Sequence, residues 1–367
     1  MSRILSFLAV LVLSGCLDTE LTLPELPPFA TAFVLNGTGN KGITIVPDSG
    51  NETRHISFGD AFDGAVFTGY SGTILATSSR DGGDQLFVAD INTETVETFQ
   101  LPAGSNPAGA TPVLTLFPGA PQRSVAVALR DSQAIALVDI SASADPDNVT
   151  LFHGAGQCPV DVLVSTSSLY SLDANQSCRT TYDYLGPSRI ISISPDGDAA
   201  DTLSLGDDVF GAQRLFANFP FVLVFASGDF AGRPATVTLA NVLTDEILET
   251  LSFPAGVYGV NLRGGLDGLF YATAFEPTQF EPFSPRVYAI DASRMVFAGL
   301  RVTGEDFLAL TKEDASAPLC SAATADGRGQ VYCVENGSVL SNVIIFDPEG
   351  NEIRRVPSGS LAFDIQL

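Results

Sequence analysis

The sequence predicts an all-β protein, a seven-bladed β-propeller of four-stranded antiparallel blades. Seven segments share a run of apolar, mostly β-branched and aromatic residues that ends in an acidic or amide turn residue. These turn residues recur roughly every 50 positions, a period typical of propeller blades. Short strands punctuated by Gly, Pro, Asn and Asp agree with this fold. The seven segments are residues 43–48, 86–90, 135–139, 190–196, 235–241, 287–291 and 343–347.

Blades two and three carry the strand pattern most clearly. The innermost strand of blade three is expected at residues 113–117, after a lead-in at residues 106–109. A helix of one or two turns is expected only in residues 304–314. The other predicted strands are residues 73–79, 85–90 and 96–101 in blade two and residues 124–129, 134–140 and 148–152 in blade three.

The first blade lacks an innermost strand in its own part of the sequence. Residues 32–36, 43–46 and 53–58 follow one another as its second, third and fourth strands. An open ring would expose unpaired strand edges, which promotes aggregation. Residues 360–367 form an isolated strand that resembles the innermost strand at residues 159–164. We therefore predict that residues 360–367 close the ring by pairing in the N-terminal blade.

Blade two also resembles a known repeat. Its segments ILAT (74–77), LFVAD (86–90) and TVET (95–98), followed by PAG (107–109), are similar to the YVTN-type propeller repeat of bacterial exported proteins. Blade three matches equally well, whereas blades four to seven match only in their strand pattern. The resemblance implies the propeller fold. Propellers of this type act as scaffolds, as binding proteins or as carriers of active sites.

We expect the chain to consist of three segments: a signal peptide at residues 1–15, a tether at residues 16–30 and the propeller at residues 31–367. The signal peptide has a short basic start and an apolar run of about ten residues, too short to cross a bilayer. Its end and Cys16, read as Leu-Ser-Gly-Cys, resemble a bacterial lipobox. The resemblance implies cleavage before Cys16 and a diacylglycerol on its thiol. The alternative is an ordinary secretory signal followed by an unrelated cysteine.

The residues after Cys16 suggest where such a lipoprotein would reside. Three prolines in residues 16–30 favour an extended tether. Leu17, rather than Asp, follows Cys16, and the sorting rule of Gram-negative lipoproteins then implies the outer membrane. We expect a protein of the bacterial cell envelope that the lipid alone holds to the membrane.

The charge balance narrows the class of partner. The chain carries 18 basic and 42 acidic residues, a formal net charge of −24. Such a surface repels phosphate backbones, and the sequence contains no strongly basic patch, so nucleic acid is not an expected partner. Another envelope protein or an extended ligand is the partner we expect.

Four cysteines besides Cys16 are expected to form two disulfides, because exported chains commonly oxidise paired cysteines. Cys158 and Cys320 each open a predicted innermost strand, and Cys178 and Cys333 lie at or just past the end of the adjacent strand. These ends are neighbours in an antiparallel hairpin. We predict the pairs Cys158–Cys178 and Cys320–Cys333; free buried thiols are the alternative.

The sequence offers little catalytic chemistry. Its two histidines, His55 and His153, fall in outermost strands, so a Ser-His-Asp relay or a His-rich metal site is hard to build. Carboxylate pairs such as Asp196 and Asp198 sit where a hairpin turn is expected. We therefore predict no catalytic residue, no metal site and no cofactor.

Binding residues are expected on one face of the propeller. The loops from second to third strands and those between blades share that face, called the upper face below. The long loops of blades four to six would place several aromatic rings there, and aromatic residues mark binding surfaces. The alternative is that these rings cap their own blades. The loop candidates are Tyr182, Tyr184, Phe230, Phe275, Phe280 and Phe283, and the channel candidates are Asp63, Asp161, Arg214, Tyr258 and Asp364.

Two functions of different classes remain. The preferred hypothesis is a non-enzymatic, lipid-anchored propeller that binds a protein or a ligand through its upper-face loops. The alternative is a metal-dependent, lactonase-like hydrolase that uses Asp161, Asn261 and Asp364 at the mouth of the channel. The alternative requires a tightly bound metal, whereas the preferred hypothesis does not.

Replacing Cys16 by Ser should abolish the lipid anchor, because only the thiol forms the thioether. We expect the variant to lose the lipidated N-terminal peptide in mass spectrometry and to leave the detergent phase in a phase partition. Ser14→Ala, which keeps a small residue before the cleavage site, is the matched control and should remain lipidated. Unchanged partitioning of C16S would contradict the lipobox interpretation.

Overall fold

The computed structural model is a closed seven-bladed β-propeller. It describes residues 30–37, 41–60, 62, 67–70, 72–78, 84–113, 117–121, 123–141, 148–178, 183–277, 286–291, 308–309, 320–336 and 340–367. These residues form 28 strands, arranged in seven antiparallel sheets of four strands each. The predicted fold class is confirmed.

Each sheet is one blade, and its strands A to D run from the channel outward. Blade one consists of β1 (Ala32–Asn36), β2 (Gly42–Val46), β3 (Arg54–Ser57) and β28 (Ala362–Gln366); blade two of β4 (Phe67–Tyr70), β5 (Thr73–Ser78), β6 (Gln85–Asp90) and β7 (Thr95–Gln100); blade three of β8 (Pro107–Pro112), β9 (Ser124–Leu129), β10 (Ala134–Asp139) and β11 (Val149–His153). Blade four consists of β12 (Pro159–Val164), β13 (Leu169–Asp173), β14 (Arg189–Ile193) and β15 (Ala199–Ser204); blade five of β16 (Ala212–Asn218), β17 (Phe221–Ala226), β18 (Thr236–Asn241) and β19 (Glu246–Ser252). Blade six consists of β20 (Tyr258–Gly264), β21 (Leu269–Phe275), β22 (Arg286–Asp291) and β23 (Leu308–Ala309); blade seven of β24 (Cys320–Ala325), β25 (Val331–Asn336), β26 (Ser341–Phe346) and β27 (Glu352–Gly359).

The C-terminal strand closes the ring as predicted. β28 is strand A of blade one and pairs antiparallel with β1, with Val34 opposite Ile365 and Leu35 opposite Asp364. Val34, Leu35 and Ile365 are fully buried. No other part of the described chain supplies strand A of this blade, so the N-terminal blade is completed by the last residues of the chain.

The core lies between the blades rather than inside any one of them. An apolar cluster lies between each of the seven pairs of neighbouring sheets. In the cluster between blades one and seven, Val34 packs with Tyr332 and Ile345. Both faces of each inner strand are therefore buried. This explains why β10 and similar strands read as continuous apolar runs without a polar alternation.

The repeated segments of the sequence are the C strands of the seven blades. In blades two, three, five and seven, the turn residue after the strand accepts a backbone N–H two to four residues later. Asp90 Oδ1 accepts from Asn92 N at 2.8 Å, Asp139 Oδ1 from Ser141 N at 2.9 Å and Asn241 Oδ1 from Leu243 N at 3.0 Å. Side-chain acceptors of this kind favour tight turns. They account for the acidic or amide residue that ends the repeat in these four blades.

One sequence prediction was wrong, and a second is contradicted at the two residues of its segment that the structure describes. Strand A of blade three is Pro107–Pro112, earlier in the chain than residues 113–117. Strand A pairs on one side only, so a Pro without an N–H is tolerated at its ends. Within the segment expected to be helical, Leu308 and Ala309 form a strand, because they pair with Ala289 and Tyr288. The rest of residues 304–314 lies outside the described residues. Among the described residues, no helix is long and apolar enough to cross a bilayer.

The N-terminal end of the described chain lies at the face opposite the upper face, called the lower face below. β1 starts there, since its far end leads into the upper-face loop before β2. Ala30 N donates to Tyr332 Oη at 2.7 Å, which fixes the start of the propeller against blade seven. The segment that precedes residue 30 therefore joins the propeller at its lower face.

Replacing Ile365 by Ala should destabilise the whole ring, because it leaves a cavity where β28 packs between blades one and seven. We expect a loss of about 2–5 kcal/mol in the free energy of unfolding, measured by denaturant titration. Phe363→Ala, on the same strand but 37% exposed, is the control and should cost clearly less. Equal losses for both variants would argue against the closure as the critical contact.

Candidate ligand-binding site at the channel mouth

A cavity of about 640 Å³ opens on the upper face at the mouth of the central channel. Strand A residues of blades four, five, six and one line its floor, and loops between strands B and C line its walls. The cavity therefore lies on the face where the sequence predicted a binding site. Its lining includes Arg130, Gln176, Tyr184, Gln213, Arg214, Asp229, Phe230, Asn261, Phe363 and Asp364.

A β-bulge in each contributing A strand shapes the floor. The pairing with strand B shifts by one residue at this point in blades four, five, six and one. A bulge re-aims the side chains around it. The inserted residues line the cavity; they are Val160, Gln213, Val260 and Phe363. The residues that follow them occupy equivalent positions in the four blades; they are Asp161, Arg214, Asn261 and Asp364.

The charged side chains below the cavity meet across the channel. Arg214 Nη2 donates to Asp364 Oδ2 at 2.6 Å, and Arg263 Nε donates to Asp364 Oδ1 at 2.7 Å. Arg263 Nη2 also contacts Asp364 Oδ2, and Asn261 Nδ2 donates to Asp364 Oδ1 at 2.8 Å. These four residues, called the channel cluster below, link blade one to blades five and six.

Burial and charge compete within the channel cluster. Burial alone would raise the pKa of Asp364, but the charges of Arg263 and Arg214 and the hydrogen bonds from Arg263 and Asn261 outweigh it, so the pKa lies below its ordinary value. For Arg214, burial and the neighbouring Arg263 charge lower the pKa to about 10, although Asp364 and Asp161 oppose the shift. The surroundings thus favour the ionised form of Asp364, whereas burial and the neighbouring Arg263 disfavour the charged form of Arg214.

Asp161 lies beside the channel cluster but is held differently. Its Oδ2 accepts from Leu215 N at 2.8 Å and its Oδ1 accepts from Val162 N at 2.9 Å. Burial raises its pKa in spite of the Arg214 charge. The carboxyl group occupies space that is open because Gly109 has no side chain; a Cβ atom added to Gly109 would lie 2.1 Å from Asp161 Oδ1. Asp161 therefore ties blade four to blade five.

Phe230 forms the most exposed part of the aromatic wall. It is 54% exposed and has a positive φ of 54°, which is unusual for a bulky residue. Its ring stacks on Tyr258 at a centroid distance of 4.8 Å and lies 6.3 Å from Phe275. Asp229 Oδ1 fixes the loop by accepting from Arg233 N at 2.8 Å. The loop of blade five thus places an exposed ring over blade six.

Tyr184 forms the opposite part of the wall. Its hydroxyl donates to Gly228 O at 3.0 Å, and its ring packs edge-on against Phe210 at 5.6 Å. Burial and the Asp229 charge raise its pKa, so the hydroxyl remains a donor. The guanidinium of Arg233 lies 4.2 Å from the centre of the Phe210 ring. The loops of blades four and five therefore support each other.

Both predicted disulfides are present. Cys158 pairs with Cys178 and Cys320 pairs with Cys333, with Cα separations of 5.6 and 5.4 Å. Cys178 lines the cavity, so the first disulfide fixes the base of the loop that carries Tyr184. The chain-entropy model gives such a loop closure about 3 kcal/mol of stability.

The structure brings most of the predicted binding residues together. Arg214 and Asp364 bond directly, Asp161 lies next to them, and Tyr258 supports Phe230. Of the loop aromatics, Tyr184 and Phe230 line the cavity, and Phe275 packs near Phe230 within the same aromatic group. Asp63, Tyr182, Phe280 and Phe283 lie outside the described residues.

Several site residues were missed by the sequence analysis. Arg130, Arg263, Gln176, Gln213 and Phe363 were not among the predicted binding residues. A signal existed for Arg263, because it lies two residues after Asn261 in a strand and so projects on the same side. The bulges, which orient Gln213 and Phe363, left no signal in the sequence.

The donor set does not suit a divalent metal. Among the described residues, no group of three His, Cys, Asp or Glu side chains is placed to hold an ion. Asp364 already binds two guanidinium groups, whose positive charges would repel a cation, and both oxygens of Asp161 accept backbone N–H groups. The residues expected for a metal-dependent hydrolase thus do not fit that role.

Comparisons with known proteins identify the fold but no family. No protein-family model matches the chain, and no curated protein matches it significantly in sequence. A protein from Lactobacillus plantarum is similar in structure, with a TM-score of 0.56 at 11% identity over 92% of this chain and 98% of that one. A proposed 6-phosphogluconolactonase from Bacteroides uniformis has a TM-score of 0.56 at 12% identity over 92% and 98%. Virginiamycin B lyase from Staphylococcus aureus has a TM-score of 0.50 at 12% identity over 82% and 89%. Identities this low establish the shared propeller fold alone.

Replacing Asp364 by Asn should destabilise the protein, because two buried arginines lose their counter-charge. We expect a loss of about 3–5 kcal/mol in the free energy of unfolding at pH 7, measured by denaturant titration. Because the folded pKa of Asp364 lies below the ordinary Asp value of 3.8, its contribution is present above that value and is lost as pH falls through the folded pKa. The difference between wild type and D364N should therefore shrink below about pH 4.

Asp196→Asn provides the matched control, since Asp196 is exposed in the turn between β14 and β15. Its free energy of unfolding should stay within about 0.5 kcal/mol of wild type. A D364N protein as stable as the control would show that the channel cluster does not hold the blades together.

Proposed function

We propose that this protein is a non-enzymatic, lipid-anchored binding protein of the bacterial cell envelope, and that its ligand or partner engages the channel-mouth cavity. The observation that carries the proposal is the composition of that cavity. Tyr184 and Phe230 give it an aromatic wall, and Arg214 lies in its floor. Aromatic walls with a few polar groups are typical of ligand sites.

The size and the strain of the site support binding. A volume of about 640 Å³ lies within the range of small-molecule sites, and it also accommodates a short loop of a partner. Phe230 combines a positive φ with an exposed ring. Backbone strain of this kind clusters at functional sites, because folding stability alone does not favour it.

The lining residues give little support to a hydrolase. Ser227, the one serine among the described lining residues, has its hydroxyl directed to the carbonyl oxygens of Gly211 and Gly228 at 3.0 and 3.3 Å. Its side chain also contacts the hydroxyl of Tyr184, which is protonated at neutral pH and is not a base. No histidine lines the cavity. The carboxylates are occupied by arginines and backbone N–H groups, so neither a nucleophile nor a metal-bound water is supported.

The envelope location rests on the sequence of the N-terminus. The lipobox-like residues up to Cys16 support lipid anchoring, and the net charge of −24 is compatible with a solvated surface. Residue 30 lies at the lower face, opposite the cavity. Another envelope protein or an extended ligand remains the partner that we propose.

Site-specific photo-crosslinking in native envelopes tests this proposal. A photoreactive residue at Leu185, which is 59% exposed beside Tyr184, should capture a partner or ligand. The same residue at Leu266, which is 62% exposed in the turn between β20 and β21 on the lower face, is the positional control. Capture only from Leu266 would place the binding surface on the wrong face and contradict the proposal.

Phe230→Ala should reduce capture from Leu185 by about tenfold, because an exposed aromatic anchor typically contributes more than 1 kcal/mol to binding. Leu266→Ala removes a similarly exposed apolar side chain from the lower face and should leave capture unchanged. If both variants capture as well as wild type, Phe230 does not belong to the contact surface.

A further inference from the structure

We propose that the channel-mouth cavity binds an uncharged saccharide, with the rings of Phe230 and Phe363 packing on the sugar and the Gln213 amide bonding its hydroxyls. This inference rests on the proposed function and names the ligand class of the same site. Three observations support it: the charges of the lining are balanced and paired, an amide of the lining makes no internal hydrogen bond, and two lining rings are partly exposed.

The charged side chains around the cavity neutralise one another. Two arginines, Arg130 and Arg214, and two carboxylates, Asp229 and Asp364, line it. Arg214 pairs with Asp364, Asp229 pairs with Arg233, and Arg130 is also engaged within the protein. An ion that entered would lose its water shell without meeting an unpaired opposite charge among the described lining residues, and such burial is costly. The lining therefore favours a ligand without net charge.

Gln213 supplies a polar group that the fold itself does not use. It is the residue inserted by the β-bulge in strand A of blade five, and it is partly exposed at the cavity. Its side chain forms no hydrogen bond with another described residue. A primary amide offers two donors and an acceptor in one plane, whereas a hydroxyl both donates and accepts. The Gln213 amide therefore suits two neighbouring hydroxyls of a sugar.

Gln176 adds a second amide to the lining. Its Nε2 lies 3.8 Å from Cys158 Sγ and 3.7 Å from Cys178 Sγ, and sulfur is a weak acceptor. Its backbone bridges to Tyr184, so the loop of blade four holds this amide at the cavity. A purely apolar ligand would shield both amides from water without bonding them, which disfavours its binding. The site therefore favours a ligand with hydroxyl groups.

Two phenylalanine rings supply the apolar contact. Phe230 stacks on Tyr258 at 4.8 Å, and Phe363 packs against Gly37, where an added side chain would overlap the ring. The two residues nevertheless remain 54% and 37% exposed, and both line the cavity. The face of an aromatic ring is negative and attracts the C–H groups on the apolar face of a sugar. The protein thus holds both rings in place and leaves part of each for a ligand.

A saccharide meets all three requirements of the lining. It carries no charge, it presents neighbouring hydroxyls to the amides, and the C–H groups of its ring form an apolar face for the phenylalanines. The volume of about 640 Å³ lies within the range of small-molecule sites. Free sugars and the units of a glycan chain share this chemistry, so the experiment must distinguish these two sources.

The test is an NMR titration of the full chain in a polyoxyethylene detergent, whose headgroup contains no sugar. Each neutral sugar is paired with an analogue that carries one charge: glucose with glucuronate, galactose with galacturonate, and N-acetylglucosamine with glucosamine at a pH where its amine is protonated. We expect at least one neutral sugar to bind about tenfold or more tightly than its charged partner, because the cavity offers no unpaired counter-charge.

The hexasaccharide of the sugar that binds distinguishes the two sources. Tighter binding of the hexasaccharide than of the single sugar would identify a glycan chain as the ligand. Binding that is no tighter would identify a free sugar. Either outcome supports an uncharged saccharide as the ligand class.

Matched variants locate the contact. Gln213→Leu should weaken the neutral sugar about tenfold and leave the midpoint of denaturant unfolding unchanged, because the amide bonds no other described residue. Phe230→Ala should also weaken it about tenfold, whereas Phe230→Tyr keeps the ring and should retain binding. Two lower-face controls should bind as wild type: Asn92→Ala, which removes an exposed amide between β6 and β7, and Leu266→Ala.

The outcomes separate this inference from the proposed function. Equal binding of neutral and charged sugars, no binding of any neutral sugar, or unchanged affinity in Q213L overturns the ligand class. If crosslinking from Leu185 still captures a protein and remains sensitive to F230A, the proposed function stands with a protein partner at the cavity. Loss of both results removes the proposed function together with the inference.

Discussion

The pairing of β28 with β1 is the contact on which both the fold and the site depend. It closes the ring, buries Ile365 between blades one and seven, and carries Asp364 into the channel. Asp364 then joins Arg214 and Arg263, so the last strand also fastens blades five and six. Folding of the ring and assembly of the cavity floor are therefore one event, completed by residues more than 300 positions from the strand they pair with.

Much of the architecture follows from local rules and was predictable from the sequence. The acidic or amide turn residue after each C strand indicated the blade count, and in blades two, three, five and seven its side chain accepts a backbone N–H there. The blade map then predicted both disulfides and the closing strand, since hairpin geometry leaves few choices. The position of the first strand of blade three was not predicted, because Pro107 and Pro112 were interpreted as residues that interrupt a strand. A strand that pairs on one side only tolerates proline at its ends.

The cavity floor was only partly predictable. Asp161, Arg214 and Asp364 could be placed on innermost strands, but their hydrogen-bond partners depend on the register of each A strand. A single bulge decides whether Gln213 or Arg214 faces a given neighbour, and a bulge is a property of the pairing rather than of one segment. Of the predicted loop aromatics, Tyr184, Phe230 and Phe275 were correctly placed on the upper face, whereas the stacking of Phe230 over blade six required the structure.

The entry of the chain at the lower face has a consequence for orientation. In the lipid-anchored form that we propose, residues 16–30 would bridge the acyl chains and the lower face with a contour length of about 50 Å at most. The cavity would then open away from the bilayer that holds the protein. Such a molecule would sample solutes and partners in the aqueous space beyond its own leaflet, and the lipids beneath it would be out of reach of Phe230.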